Sequence, residues 1–409
     1  MKIRPIAMYL PQYHPIPEND EWWGKGFTEW INVRKSQPLF EGHYQPHVPH
    51  ESIGYYDLRD PEVLVKQAAM AKEYGIYGFC FYHYWFGGKK LLQTPVDNYL
   101  NSEKSDFPYC LCWANENWTR RWDGLENEIL IAQNYSNQDD LDFILDKILF
   151  FKDKRYIRIN NKPILLVYKT ELLPNAKKTA EIWRTAMREQ GIGEIYLIRV
   201  ENTVANLNPA EIDFDAAVEF APDWRSRGYQ HFPATFVNSD SLNVYDYLDT
   251  VLKTLSKTMP DYKIFRGVFP QWDNTARIGS SAFAFLNNDA SVFEFYFQQI
   301  VNYTRKNQNN EEQLIFINAW NEWGEGCHLE PDKQNQFRYL EICKKVLLNH
   351  ESNSVLERLL YLYKKQIQTE NELLILTQKI DSVINYKPYK LVKALLSPIR
   401  LIWRFFKNL

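Results

Sequence analysis

The chain is 409 residues long, 45% hydrophobic and 24% charged, with a formal net charge of −3 at pH 7. That size and balance fit one large globular domain or two smaller ones, and the small net charge gives no global reason to expect nucleic acid as a partner. Aromatic residues are the departure: 26 Tyr, 24 Phe and 13 Trp make 15% of the chain. Many of the Trp and Tyr sit in polar strings beside Asn, Glu, His and Gly, a setting that favours sugar recognition over core packing.

Five cysteines are an odd number, and Cys80, Cys110 and Cys112 fall inside apolar runs. They fit buried thiols in a reducing compartment better than a disulfide framework. The N-terminal string MKIRPIAMYLPQYHP has too short an apolar run for a secretory signal. No run of about 18 apolar residues suggests a spanning helix. The chain is expected in the cytoplasm.

Ile3–Leu10 reads as a first strand, closed by Pro11-Gln12-Tyr13-His14-Pro15. A long irregular stretch to about Asp60 follows, and loops of that length inside a domain are usually functional. Asp60 and Pro61 then open a helix that Gly75 ends. From there strands and helices alternate. Strands are expected at Ile76–Tyr82, Tyr109–Trp113, Pro163–Tyr168, Glu194–Val200, Ala216–Phe220, Lys263–Phe269 and Leu314–Ile317. Helices are expected from Thr94, over Ser136–Phe150, Ala176–Glu189, Val244–Lys257, Ala290–Lys306 and Gln336–Leu348.

Strict β–α alternation implies a parallel sheet with right-handed crossovers. Eight strands suit a closed (β/α)₈ barrel of the TIM type, with a doubly wound open sheet as the alternative. Polar strings follow the strands at His83, Asn115, Asp223, Asp273 and Glu322, all on the carboxyl-end side. A barrel gathers those ends at one mouth, so the barrel is preferred, spanning residues 1–350. Residues 351–386 read as a charged helical linker with apolar positions near heptad spacing (Leu359, Leu362, Ile367, Leu374). Residues 387–409, KPYKLVKALLSPIRLIWRFFKNL, carry six Lys/Arg and no acid among Trp403, Phe405, Phe406 and aliphatic residues. This basic amphipathic tail suits a membrane interface near anionic lipid, which predicts peripheral contact with the inner face of the plasma membrane.

The chemistry concentrates in Leu314–Glu330, LIFINAWNEWGEGCHLE. Glu322 and Glu325 stand three residues apart at a strand's exit, fenced by Asn321 and Trp323. Acting on a glycosidic bond takes one group that protonates the leaving oxygen and another that relieves positive charge at the anomeric carbon. A carboxyl pair whose pKa values are driven apart does this near neutral pH, so Glu322 and Glu325 are the catalytic candidates; the spacing leaves open which is the acid. Trp113, Asn115, Glu116 and Trp118 form a second candidate wall. His83 and Trp85, with Trp272 and Asp273, have the same look. Tyr9 and Tyr82 are further candidates for sugar contact. Glu219 reads either as facing inward or as pairing with a buried base. His43, His47 and His50 invite a metal reading, but Pro46 and Pro49 interrupt them and no carboxylate accompanies them at a ligand-like spacing, so neither metal nor other cofactor is expected. No phosphate-binding glycine motif leaves a strand.

These residues carry a family resemblance. The strings AMYLPQYH (7–14), GFTEW (26–30), FYHYWF (81–86), WANENW (113–118) and NEWGEG (321–326) resemble the WbsX family. That family is named as glycosyltransferases, comes from polysaccharide-antigen clusters and is related to the glycoside hydrolase family 99 endo-α-mannosidases. The resemblance covers about residues 1–350 and implies a metal-free (β/α)₈ barrel acting on bacterial surface glycans of O-antigen, lipopolysaccharide or capsule type. In the hydrolase relatives two glutamates of an E-W-x-E string do the chemistry, and they fall on Glu322 and Glu325. The resemblance gives the first the task of helping the sugar's own 2-hydroxyl attack, and the second that of acid, then base. Gly324 stands where the mannosidases carry a His. Three readings follow: a hydrolase-like enzyme on polysaccharide, a glycosyltransferase using an activated or lipid-linked donor, and a non-catalytic glycan-binding subunit.

Overall fold

The first strand, β1 (Arg4–Tyr9), is buried at every position after Arg4. It pairs in parallel with Leu314–Ile317 on one side and with Gly78–Phe86 on the other, and that double pairing closes a barrel. In the computed structural model, which describes residues 3–120, 125–202, 207–231, 242–348 and 354–385, the remaining barrel strands are β2 (Gly78–Phe86), β3 (Tyr109–Trp113), β4 (Lys162–Val167), β5 (Tyr196–Glu201), β6 (Ala216–Glu219), β7 (Ile264–Val268) and β8 (Leu314–Ile317). Each pairs in parallel with its sequence neighbours. This is the expected (β/α)₈ barrel, and the open-sheet alternative falls because β1 and β8 are hydrogen-bonded neighbours.

The longer helices include α1 (Pro61–Glu73), α2 (Thr94–Leu100), α3 (Asn137–Asp146), α4 (Ala176–Glu189), α5 (Tyr247–Ser256), α6 (Ala290–Asn307), α7 (Arg338–Leu348) and α8 (Ser354–Asn385). Their starts follow ordinary capping chemistry: Asp60 accepts from the Glu62 amide and Ser136 from the Asp139 amide, satisfying amides that the helix leaves unpaired. Gly75, at φ 86°, ends the first turn-out after α1, a conformation glycine adopts without a Cβ clash. The helix expected from Val244 begins later. Asn243–Asp246 joins a small sheet with Gln230–His231 and Phe283–Leu286, and Asp246 caps α5 by accepting from the Asp249 amide at 2.8 Å. The layer between strands and helices is aromatic. Trp113 stacks on Phe143 of α3 at 4.4 Å between ring centroids, and Trp183 of α4 packs beside both. Full burial of each such ring stabilises the fold by roughly 2–3 kcal/mol.

β2 runs four residues past the expected break, to Phe86, because it turns back antiparallel onto Lys89–Leu91. The long stretch before α1 is not wholly irregular: Pro17–Trp23 and Glu29–Lys35 are helical. Residues 1–352 form one compact unit and residues 353–409 another. In the second, α8 is a continuous helix of 32 residues with Leu359, Leu362, Leu373, Leu376 and Ile380 exposed. Among the described residues no helix is long and apolar enough to cross a membrane. The tail expected at 387–409 lies outside the described residues.

Candidate active site

β8 delivers the main constellation. After Ile317 the chain forms a tight hairpin in which Asn321 pairs with His328 and Glu322 with Cys327. A single 3₁₀ turn at Trp323–Glu325 joins its arms, and Gly326 closes the turn at φ 56°. The loop after β1 fixes this hairpin. The Asn321 side-chain amide holds both the Leu10 amide (2.8 Å) and the Leu10 carbonyl (3.0 Å). The Tyr13 hydroxyl donates to the Asn321 carbonyl and accepts from the Trp323 amide.

Held this way, Glu322 and Glu325 converge on one cation, Arg277, from the short helix Thr275–Ile278 after β7. Its Nη1 reaches Glu325 Oε1 at 2.7 Å, Nη2 bonds Glu322, and Nε reaches Glu29 Oε1 at 3.1 Å. Three carboxyls therefore share one guanidinium. Burial pushes the Glu322 pKa up to about 8; Arg277 opposes the rise, while Glu325 and Glu29 add to it. Burial works against charge on Arg277 as well, but the three carboxyls more than offset it and hold its pKa well above the ordinary value. Gly324 lets the cluster form: a Cβ there would lie 2.1 Å from Glu29 Oε1.

The pair opens into a cavity of about 430 Å³ at the carboxyl ends of the strands, lined by Glu322, Glu325, Arg277, Gln12, Tyr82, Tyr84, Glu116, Trp118, Tyr168 and Phe220 among others. Its volume suits a small-molecule or oligosaccharide site. Of the candidates read from sequence, Glu322, Glu325, Tyr82, Glu116 and Trp118 meet here. The others are placed elsewhere. Strand alternation sends Tyr82 and Tyr84 inward and His83 and Trp85 outward, where both pack against Phe143 and Trp85 Nε1 donates to Asp139 at 2.8 Å. Trp113 belongs to the same outer layer. Asn115 bonds the Lys169 amide and carbonyl, clamping the exit of β4. The Tyr9 hydroxyl donates to Gln67 of α1. Trp272 packs edge-on to Trp224, and Asp273 accepts from His43, Gln45 and Thr275. Asn321 and Trp323 support the hairpin from behind. Glu219 pairs with Arg266 and Lys257, and these cations hold its carboxyl below the usual range despite burial.

Residues 5–343 match the family described as Glycosyltransferase WbsX. The chain belongs to the WbsX family. It is 42% identical over 343 residues to the uncharacterized protein WxcX of Xanthomonas campestris pv. campestris strain B100, and equally to that of strain ATCC 33913; the match covers 84% of this chain. The chain spans about half (49%) of the length of these curated relatives. Among solved structures it is similar to a glycoside hydrolase-like protein (TM-score 0.54, 14% identity, covering 85% of this chain and 94% of the other). It is also similar to the glycoside hydrolase family 99 endo-α-mannosidase of Bacteroides thetaiotaomicron (TM-score 0.53, 16% identity, covering 84% and 96%). At that identity the likeness speaks for the fold.

This WbsX-family chain places at its mouth several residues that sequence reading passed over. Tyr84 was legible in principle, two positions from Tyr82 on one strand face. Tyr168 and Phe220 directly follow β4 and β6, the positions a barrel turns toward its mouth. Arg277 carried no signal, and Glu29 stood out only as part of the GFTEW string: their pairing depends on a meeting across 248 residues of sequence. Behind the hairpin, Glu330 is a buried carboxyl accepting from Trp320 Nε1, Trp323 Nε1, Tyr56 Oη and Gln67 Nε2. Burial raises its pKa to about 7 against those four donors. Glu330→Gln turns an acceptor edge into a donor facing donors. It is expected to cost about 1–3 kcal/mol of stability, read as a lower urea midpoint at unchanged slope.

Proposed function

We propose that this chain is a carbohydrate-active enzyme acting on glycosidic bonds of a bacterial surface polysaccharide, O-antigen or capsule in type, with Glu322 and Glu325 doing the acid/base work. One observation carries the reading: both carboxyls border the same aromatic-walled cavity and share Arg277. Tyr82, Tyr84, Trp118, Tyr168 and Phe220 offer faces on which sugar rings pack. Gln12 Oε1, buried and without a protein partner, is available to accept from a hydroxyl. Glu116 adds a carboxyl on the opposite wall, 3.8 Å from Lys169 Nζ.

With its pKa near 8, Glu322 carries a proton at neutral pH. In this reading Glu322 protonates the leaving oxygen, Glu325 faces the developing positive charge as a carboxylate, and Arg277 keeps both in register. The resemblance implies the opposite order, with the second glutamate as acid. A pH profile separates the two. A group that works protonated is competent below its pKa, so kcat should fall as pH rises through about 8; a rate that climbs through that pH assigns the proton to Glu325.

A glycosyltransferase reading is favoured by the family's own description. In it the donor is activated or lipid-linked, and residues 387–409, basic and aromatic, rest on anionic lipid at the inner face of the plasma membrane, with the barrel in the cytoplasm. A third reading is a non-catalytic glycan-binding subunit. The deciding experiment incubates the full chain with its host's surface polysaccharide and lipid-linked intermediates and analyses the products by mass. New reducing ends support the hydrolase, donor-dependent growth supports the transferase, and binding without turnover in either assay overturns both enzymatic readings.

A further inference from the structure

We propose that His47, His328 and Asp332 form a binding site for one divalent transition ion of the zinc class, which fastens the loop after β1 to the segment carrying Glu322 and Glu325. The three histidines of that loop part company in the fold. His43 Nδ1 accepts from the Leu39 amide, so its Nε2 carries the proton given to Asp273. His50 bonds Ser52. His47 instead meets His328, 281 residues away, with Nδ1 3.0 Å from His328 Nε2. Asp332 Oδ2 lies 3.7 Å from that same nitrogen, and the three donor atoms all fall within 4.8 Å of one another. At zinc–nitrogen distances of 2.0–2.1 Å, neighbouring donors of a tetrahedral ion stand about 3.3 Å apart. The two shorter separations straddle that value.

The hydrogen bonding around His328 leaves free the lone pair that a metal needs. His328 Nδ1 is 2.9 Å from the Glu330 carbonyl and donates to it, which leaves Nε2 with a lone pair aimed at His47 and Asp332. A second hydrogen bond of this kind is how metal-binding imidazoles are usually oriented. Asn335 holds Asp332 Oδ2 through its Nδ2 at 3.1 Å, and Trp323 stacks on His328 at 3.7 Å.

A hydrogen bond from His47 Nδ1 to His328 Nε2 accounts for the imidazole pair alone. It leaves a buried carboxylate facing a lone-pair nitrogen with no proton between them. Among the described residues no lysine or arginine lies within ion-pairing distance of Asp332. A cation among the three donors removes that conflict, and a water would complete a four-coordinate shell. Sequence spacing hid the site because one ligand lies far from the other two.

The test is elemental analysis of the full chain, produced without a polyhistidine tag or chelator, loaded with zinc and dialysed. About one equivalent per chain is expected, and His328→Gln and Asp332→Asn should each lose it while His50→Gln keeps it. Cobalt(II) substitution should give the intense visible absorption of a four-coordinate ion in the wild type, absent from Asp332→Asn. Circular dichroism checks that the variants fold. Wild-type protein that stays below a tenth of an equivalent, or variants that bind zinc as well as the wild type does, would overturn the assignment.

Discussion

Glu322→Gln and Glu325→Gln should each lower turnover by about 10²- to 10⁴-fold, the range that a positioned acid or base contributes, while changing saccharide binding little. Gln keeps the shape and one acceptor oxygen of Glu, so the cavity wall and a contact to Arg277 survive; what disappears is the proton in one case and the charge in the other. The predicted signature is therefore a fall in kcat with KM nearly unchanged. The two losses should not multiply. Glu322 and Glu325 share Arg277, and Glu325 adds to the rise in the Glu322 pKa; residues that act as a unit give a double variant little worse than the worse single one. Measured by product mass on the host's surface polysaccharide, full activity in the double variant would sink the enzymatic readings. Multiplying losses would mean that the two carboxyls do not act as a unit through Arg277 and have independent roles.

The barrel was legible because its signals are local and repeated: eight apolar runs, most followed by a helical one, with polar strings after the strands. The Glu pair was legible for the same reason, being contiguous with β8. The walls were harder. A polar aromatic string on a strand reads as all functional, yet alternation splits it, so Tyr82 and Tyr84 reach the cavity while His83 and Trp85 serve the helix layer. Asn321 and Trp323 flank Glu322 in sequence, but their side chains point behind it, to Leu10 and Glu330. Proximity in sequence marked a loop that lines the cavity and left each side chain's direction to the hairpin. Arg277, Glu29 and the His47–His328–Asp332 group rest on long-range meetings that no spacing rule encodes.

Gly324→Ala is the second variant with a large expected effect, although it adds one methyl group and removes nothing. The new Cβ would stand 2.1 Å from Glu29 Oε1, 2.9 Å from Glu29 Cδ and 3.1 Å from Arg277 Nη2. Ordinary carbon contact begins near 3.5 Å, so Glu29 must withdraw by about 1 Å or more. A flexible carboxyl end would normally yield at little cost. Glu29, however, is fully buried, and its Oε1 is the oxygen that holds Arg277 Nε. Withdrawal frees the guanidinium to rotate, and its other two nitrogens are the ones that fix Glu322 and Glu325. A displacement of that size at a reacting group costs about 10²-fold in rate. Asp at position 29 is one methylene shorter and vacates the space, so Glu29→Asp in the Gly324→Ala background should recover part of the lost rate. A generic packing defect would show as lower thermal stability without that rescue. The space beside the Glu pair is thus already occupied by Glu29. An unimpaired Gly324→Ala enzyme would mean that Glu29 does not set the direction of Arg277, and that the Glu322–Glu325 geometry is fixed by the hairpin alone.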